Sequence, residues 1–237
     1  MTVSVSVVIP ARNEEGYIAS ALASVAAQRY PLSDIECVVV DNGSVDQTAG
    51  AALSFANECR QLSVRVVREH ETGVARAKNR GARAARGQIL VFLDADSRLE
   101  ASLIQDVVGE YEAGNPAGSI RIVADSDDRL ERGFFGLMEV GKVLFGVRAQ
   151  MMYCERTLFL ELDGFLPELR HAEDLEFLQR VRKHVAEAGR GKVCHVRTST
   201  IATSPRRLQG GRFRRNLMVT FARWLLAFAG WGREREY

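Results

Sequence analysis

Two carboxylates separated by one small residue stand directly after an apolar run. Asp94 and Asp96 follow residues 88–93, whose apolar character predicts a buried strand. In open α/β sheets, ligands bind beyond the carboxyl ends of the strands. Because an ionised carboxylate is costly to desolvate without a partner, two of them at a strand end favour a bound cation. A divalent cation that holds a diphosphate would satisfy both, so the pattern indicates an enzyme of nucleotide diphosphates. A ligand-free surface turn is the alternative.

Acids also follow two other predicted strands. Glu14 comes after the strand predicted over 3–9, and Asp41 comes directly after the strand predicted over 35–40. We expect Asn13 to cap a helix that carries Glu14 in its first turn. The sequence has neither a GxGxxG turn after the first strand nor a GxxxxGK[ST] motif, so dinucleotide and P-loop binding lose their main support.

The first half of the chain alternates strand and helix patterns. Predicted strands over 3–9, 35–40, 64–67 and 88–93 are each followed by apolar residues at helical spacing. Four such units predict an α/β fold with a mostly parallel central sheet and helices on both faces, since the crossovers are right-handed and need covering.

The helix predicted after Gly73 is strongly basic. Most of its charges are expected on a solvated face. Arg76 and Lys78 differ because they lie in its first turn, where the helix N–H groups already favour phosphate.

The overall composition is that of an ordinary globular protein. The 237 residues are 46% apolar and 26% charged, enough for one sizeable core, and the net charge of +2 gives no argument for nucleic acid. Four scattered cysteines predict reduced thiols in a cytosolic protein, and the first residues do not resemble a cleaved leader.

The order of the motifs resembles family 2 glycosyltransferases, which have the GT-A fold. Residues 9–15, 40–48, 73–81 and 92–96 look like the family's successive signatures. Residues 150–156 with 162–165, and then 172–176, are similar to the family's later segment and its acidic motif. The resemblance covers residues 3–185 approximately and implies one GT-A domain. We place that domain at 1–204, with a nucleotide-binding half at 1–100 and an acceptor half at 101–204.

The resemblance implies roles for the strand-end acids. Asp41 would contact the base or ribose of a nucleoside-diphosphate sugar. Glu14 would lie near the same nucleoside, and Asp94 would support the nucleoside side of the site. Asp96 would bind Mg²⁺ or Mn²⁺, hard cations that prefer oxygen ligands. The implied donor-binding residues are Pro10, Ala11, Arg12, Glu14, Asp41, Arg76, Lys78, Asp94 and Ala95.

A base and a further metal ligand are also implied. Asp174, in the acidic motif, would take the proton of an acceptor hydroxyl, and single-step attack would invert the anomeric centre. The alternative is an ordinary acidic helix start. His195, in a strand predicted over 192–196, would be a second metal ligand; a packed or surface histidine is the alternative.

The C-terminal tail (205–237) is basic and then apolar. Its apolar stretch of about 15 residues contains Arg223 and is shorter than the roughly 20 residues of a spanning helix. It predicts an amphipathic helix that lies on an anionic membrane, or one that packs on the domain or in a homodimer. Residues 198–207 also look like the tail of some bacterial family members, which would place Arg206 and Arg207 near the diphosphate.

The sequence therefore predicts a metal-dependent glycosyltransferase with a nucleoside-diphosphate sugar donor and an unidentified hydroxyl acceptor. We expect it in the cytoplasm, with attachment to the inner membrane face left open. A nucleotidylyltransferase is one alternative, although it would need a glycine-rich basic loop where 10–14 is acidic. A catalytically inactive partner subunit that binds nucleotide sugars is the other.

Overall fold

A computed structural model describes residues 2–144, 151–169 and 173–207. Within these ranges the chain forms one eight-stranded mixed sheet in the order β3-β2-β1-β4-β7-β6-β8-β5. The strands are β1 Val5–Ala11, β2 Ile35–Asp41, β3 Ser63–Arg68, β4 Ile89–Phe92, β5 Ser97–Leu99, β6 Ala117–Ala124, β7 Met152–Glu155 and β8 Val193–Thr203. The helices are α1 Ile18–Ala26, α2 Thr48–Glu58, α3 Val74–Ala84, α4 Leu103–Glu112, α5 Arg129–Leu144, α6 Arg156–Glu161 and α7 Glu173–Ala188, with short 3₁₀ turns at Leu32–Asp34 and Pro205–Arg207.

The strand directions bring six strand ends to one side of the sheet. β1 to β4 pair in parallel, as predicted. β7 is antiparallel to both β4 and β6, so β6 runs parallel to β4, and β8 pairs in parallel with β6. We call the side where β1, β2, β3, β4, β6 and β8 end the carboxyl edge. It holds every predicted strand-end acid.

Helices cover both faces of the sheet, which confirms the predicted layers. On one face, the apolar residues of α1, α2 and α4 pack on β1, β2 and β4, and Phe135 of α5 joins them. On the other face, α3, α6 and α7 form a second cluster. The residues predicted to face inward from α1 are all buried, as are those of α4: Ile18, Ala21, Leu22, Val25, Leu103, Ile104, Val107 and Val108.

Two predicted boundaries near the site are wrong. β1 continues through Pro10 to Ala11, although the strand was expected to stop at Ile9. Asn42 N–H donates to the carbonyl of Ala11 on the β2 side, so Pro10 faces the β4 side, where pairing has already ended at Val8. The missing N–H of Pro10 therefore costs no ladder bond.

Asn13 does not cap a helix. Its φ of 55° lies in the left-handed region that Asn tolerates, and α1 begins only at Ile18. The Asn13 side chain instead accepts a hydrogen bond from Val45 N–H at 2.9 Å, and its own N–H donates to Ser44 Oγ. The turn after β1 is thus hydrogen-bonded to the turn after β2. The residues around Asn13 alone could not predict this contact.

Glu36 on β2 is a partly buried carboxylate whose hydrogen bonds should make the stability depend on pH in acid. It accepts bonds from Ser6 Oγ and Arg86 N–H at 2.6 Å and from Arg65 Nη2 at 2.8 Å. Burial alone would raise the pKa of Glu36, but these bonds together lower it below its ordinary 4.5. A lowered pKa in the folded state means that this stabilisation is complete above pH 4.5 and is lost as the pH falls through the folded value.

We expect Glu36→Gln to lower the free energy of unfolding by about 2 kcal/mol at pH 7, because bonds to a charged acceptor are lost. The difference from wild type should shrink below pH 4.5. Urea unfolding at several pH values measures it, with the exposed Glu58→Gln as control. A difference that is the same at pH 7 and pH 3.5 would contradict the assignment.

Candidate active site

A cleft of about 250 Å³ opens at the carboxyl edge, directly above the Asp-x-Asp turn that follows β4. It brings together most of the predicted donor residues: Pro10 and Ala11 from the end of β1, Arg12 and Glu14 from the turn after it, and Asp94, Ala95 and Asp96. Four further lining residues were not predicted at the site: Asn42, Gly73, Val74 and Ala77. Arg206, which the resemblance of residues 198–207 would place near the diphosphate, lines the cleft as well.

Arg206 holds two acids of this cleft. Its Nε donates to Asp96 Oδ2 at 2.9 Å, and its Nη2 donates to Glu14 Oε1. Its guanidinium also lies over the Tyr17 ring, 4.5 Å from the ring centre. Burial lowers the pKa of Arg206, but the two carboxylates raise it by more, so the group stays cationic. The similarity of residues 198–207 to bacterial family members was the only sequence signal for this residue.

Asp96 is positioned by backbone pairing as well as by Arg206. Only 6% of its side chain is exposed. Its carbonyl accepts Ser204 N–H at 3.1 Å, immediately after β8 ends, and Ser97 begins β5, which pairs with the end of β8. The segment that carries Arg206 is therefore fixed to the residue that Arg206 contacts.

Glu14 is held from both sides. Its N–H donates to Thr48 Oγ1 at 2.7 Å, at the start of α2. Its Oε1 accepts from Arg206, whereas its Oε2 is buried and has no hydrogen-bond partner among the described residues. A buried carboxylate oxygen without a donor is costly, so this atom is suited to a ligand donor or cation.

Asn42, not Asp41, lines the cleft. Asp41 ends β2 and uses Oδ1 to accept Ser44 N–H at 3.0 Å, which shapes the turn after the strand. The Asn42 side chain donates to the carbonyl of Glu71 at 2.7 Å and accepts Gly73 N–H at 2.8 Å. Asn42 thus fixes the loop that leads into α3.

Lys78 is buried and faces the acidic motif rather than the cleft. Its Nζ lies 2.8 Å from Glu173 Oε1, with side-chain exposures of 11% and 9%. Burial lowers the pKa of Lys78, but Glu173, Asp94 and Asp174 raise it by more. The amine is therefore cationic at neutral pH, and it brings the charges of the Asp-x-Asp turn and of the acidic motif to one place.

Asn79 and a group of phenylalanines fix the start of α7. The Asn79 side chain donates to the carbonyl of Phe165 at 2.7 Å and accepts its N–H at 2.9 Å. Gly164 has φ of +67°, and a Cβ there would lie 2.5 Å from Asn79 Oδ1, so only glycine fits. Phe92, at the end of β4, packs on Phe159 and Phe165, and both contact Phe177 of α7.

The remaining predicted residues lie elsewhere. Arg76 pairs at 2.8 Å with Glu71, and the side chains are 35% and 71% exposed. Asp174 is buried in the first turn of α7, near Lys78, and is not a lining residue of the 250 Å³ cleft. The apolar stretch of the C-terminal tail lies outside the described residues.

His195 does not share a site with Asp96, which corrects the prediction that both bind one metal. Its Nδ1 lies 2.9 Å from Ser119 Oγ, and it lines a different cleft, next to α5. β8 bulges after Val196, so its register with β6 places His195 opposite Ser119 and Thr203 opposite Ala124. The five residues from Ser119 to Ala124 span roughly 16 Å at about 3.3 Å per residue, too far for one metal to bind both side chains. The strand pattern identified β8 but could not show that it is eleven residues long.

The cleft suits a divalent cation only if a bound ligand supplies some of the coordinating oxygens. No group of three or more His, Cys, Asp and Glu side chains is arranged to hold a metal in the ranges described. Asp96 and the free oxygen of Glu14 are hard carboxylate donors. Mg²⁺ typically takes one or two protein carboxylates and completes its shell with phosphates and water. The residues present suit that mode and not a closed protein cage.

A sheet of this order, with an Asp-x-Asp turn at the end of its central strand, defines the GT-A class of glycosyltransferase domains. The chain belongs to glycosyl transferase family 2, whose family model matches residues 6–154. This confirms the resemblance that the motifs indicated.

Two curated relatives show the range of similarity. The chain is 40% identical to glycosyltransferase AglE of Haloferax volcanii over 92 residues, 39% of this chain and 30% of that one. It is 30% identical over 178 residues to a PGL/p-HBAD biosynthesis glycosyltransferase of Mycobacterium bovis, covering 73% of this chain and 67% of that one. Against the first relatives the match spans only 18–30% of the relative's own length.

A solved structure shows the same fold. The mannosyltransferase PcManGT of Pyrobaculum calidifontis, in complex with GDP-Man and Mn²⁺, superposes with a TM-score of 0.71 at 24% identity. The superposition covers 95% of this chain and 65% of that one. Among the described residues, no helix combines the length and the apolar character needed to cross a bilayer.

The buried pair of Lys78 and Glu173 should matter far more for stability than the exposed pair of Arg76 and Glu71. We expect Lys78→Met to lower the free energy of unfolding by about 3–5 kcal/mol, because it leaves Glu173 buried without this cation. Arg76→Met should change it by less than about 1 kcal/mol. Urea unfolding of both variants measures the difference, and equal effects would contradict it. Adding Glu173→Leu to Lys78→Met should recover part of the loss.

Proposed function

We propose that this protein transfers a glycosyl group from a nucleoside-diphosphate sugar to an acceptor hydroxyl, with a divalent cation and with inversion. The observation that carries the proposal is the grouping of Asp96, Glu14 and Arg206 in one cleft at the carboxyl edge. Two carboxylates and a guanidinium at that position suit a ligand that carries both a cation and phosphates.

The nucleoside would lie over the ends of β1 and β2. Pro10, Ala11 and Arg12 line that end of the cleft, and Asn42 stands opposite. Asp41 would recognise the base or ribose through its second carboxylate oxygen, since Oδ1 already accepts Ser44 N–H. A carboxylate oxygen can accept from a ribose hydroxyl or a base imide.

The diphosphate would lie between Asp96 and Arg206. Asp96, helped by Glu14, would hold the cation, which when bound neutralises charge on the departing diphosphate. Arg206 has a planar guanidinium that can donate two parallel bonds to phosphate oxygens. Its position argues for Arg206 as a donor-binding residue in addition to the nine that the sequence predicted. Lys78 is better explained as a positioning residue for the acidic motif, because Glu173 already holds its amine.

Asp174 would act as the base. It lies in the first turn of α7, close enough to Lys78 for the two charges to interact. A nearby cation favours the ionised form of a carboxylate, which is the form that accepts a proton. As the acceptor oxygen attacks the anomeric carbon, its proton would pass to Asp174 and the bond to the diphosphate would break. Attack opposite the leaving group inverts the configuration.

The comparisons support the donor class. The superposed mannosyltransferase is in complex with GDP-Man and Mn²⁺. We extend that class, though not the particular nucleotide, to this chain. A cytoplasmic location remains a prediction, as do a membrane or homodimer role of the C-terminal tail and a domain boundary at 204.

Donor binding tests the proposal first. We expect one of UDP, GDP, dTDP, CDP or ADP to raise the melting temperature of the wild type only with Mn²⁺, adding about 2.7 kcal/mol at ~100 times its dissociation constant. Asp96→Asn should lose the metal-dependent part of that effect, whereas the exposed Asp127→Asn should keep it. No stabilisation by any nucleotide would overturn the donor site.

The base is tested by turnover at saturating donor. We expect Asp174→Asn to slow hydrolysis of the bound donor by water about 100-fold or more, because a positioned base contributes about 10²–10⁴. Binding of the nucleotide with Mn²⁺ should be unchanged. Glu187→Gln, on the exposed part of the same helix, should have neither effect. A wild type that binds donor without turnover, and that Asp174→Asn does not alter, would instead support the inactive partner subunit.

A further inference from the structure

A second cleft, of about 690 Å³, lies between α5 and the β6–β8 pair. Its volume falls within the ordinary range of small-molecule sites. Part of its wall is apolar, formed by Ile122, Val123, Ala124 and Phe135, and the rest is mainly charged. The donor cleft shares none of its lining residues.

The charge of this second cleft is mainly positive. Arg121 from β6, Arg132 from α5 and Arg197 from β8 line it, against one acid, Glu139. None of the three arginines makes an ion pair or a side-chain hydrogen bond with another residue described in the structure. His195 is also present, and its Nδ1 lies 2.9 Å from Ser119 Oγ. Three arginines from three different elements therefore line one cleft without a carboxylate partner among the described residues.

The position of the second cleft connects it to the proposed reaction. β6 ends at Ala124, which is paired with Thr203, and Asp125 N–H donates to the Thr203 carbonyl at 2.8 Å. The next residue, Ser204, bonds to Asp96. Arg121 lies three residues before Ala124, or about 10 Å along the strand. A molecule held by the arginines could thus extend along β6 to the carboxyl edge where the donor would lie.

We propose that this second cleft binds the phosphate group of the acceptor, so that the acceptor is a phosphate ester. That the bound phosphate ester is an acceptor depends on the proposed function, whereas phosphate binding in this cleft depends only on the three arginines. Guanidinium groups bind phosphate through paired, charge-assisted hydrogen bonds. The apolar part of the wall would contact the carbon skeleton next to the phosphate. The ester can be a small water-soluble molecule or a phospholipid, since both present the same group.

A pair of charge-matched variants distinguishes phosphate binding in this cleft from nonspecific attraction of anions to a positively charged surface. The cleft variant carries Arg121→Gln, Arg132→Gln and Arg197→Gln. The control variant carries Arg60→Gln, Arg83→Gln and Arg86→Gln, three exposed arginines of the first half of the chain. Both lose three positive charges from the surface, so both should fold and should bind UDP or GDP with Mn²⁺ as the wild type does.

Calorimetry with glycerol 3-phosphate, with glycerol as the blank, tests the small-molecule source. Sedimentation with phosphatidylglycerol vesicles, against phosphatidylcholine vesicles, tests the lipid source in the full chain. For at least one probe, the cleft variant should bind at least about tenfold more weakly than wild type, and the control variant should stay within about twofold. Equal weakening in both variants, or no binding of either probe by wild type, would overturn the proposal.

A competition experiment distinguishes this site from the donor cleft. Saturating nucleotide with Mn²⁺ should leave the affinity for the phosphate probe unchanged. Displacement of the probe by nucleotide would mean that the phosphate was bound beside Arg206, and would overturn the second site. If no nucleotide binds any of the proteins, the proposed function fails, while the comparison of the two arginine variants still decides whether the second cleft binds phosphate.

Discussion

The pairing of Lys78 with Glu173 is the interaction on which the arrangement of the site depends. The two residues are 95 positions apart, on α3 and α7, and both are buried. Asp94 and Asp174 also lie close enough to raise the pKa of the amine. Several carboxylates could not remain ionised at this depth without a cation among them. Lys78 therefore makes it possible for the Asp-x-Asp turn and the acidic motif to approach each other as charged groups.

Arg206 likewise holds carboxylates together, in the cleft where the donor would bind. It joins Asp96 and Glu14, which come from the ends of β4 and β1, and it reaches them because β8 ends beside Asp96. The two cations divide the carboxylates into two sets. Under the proposed function, Asp96 and Glu14 face the cleft, where the cation and diphosphate of a donor would join them and Arg206, whereas Glu173 is tied to a buried amine. The first set would bind the donor, and the second would position the acidic motif.

Local patterns predicted β1 to β4 and the acids that follow β1, β2 and β4, because each of these strands is an apolar run that ends in a polar turn. They failed where distant segments decide the structure. Asn13 was expected to cap a helix but bonds to Val45 instead, and Lys78 was expected at a diphosphate but faces Glu173. β5 and β7 have only three and four residues, too few to show an alternating pattern, so the order of the complete sheet could not be derived from the sequence.

The antiparallel insertion of β7 places the two proposed sites on one side of the sheet. Because β7 reverses direction between β4 and β6, the carboxyl ends of β6 and β8 return to the edge where β4 delivers Asp94 and Asp96. Displacement at an anomeric carbon needs the acceptor oxygen within about 3–3.5 Å and opposite the leaving group. A donor between β1, β4 and Arg206, and an acceptor along β6, would approach one another from two sides of that edge. The sheet order is therefore consistent with the proposed pair of donor and acceptor sites.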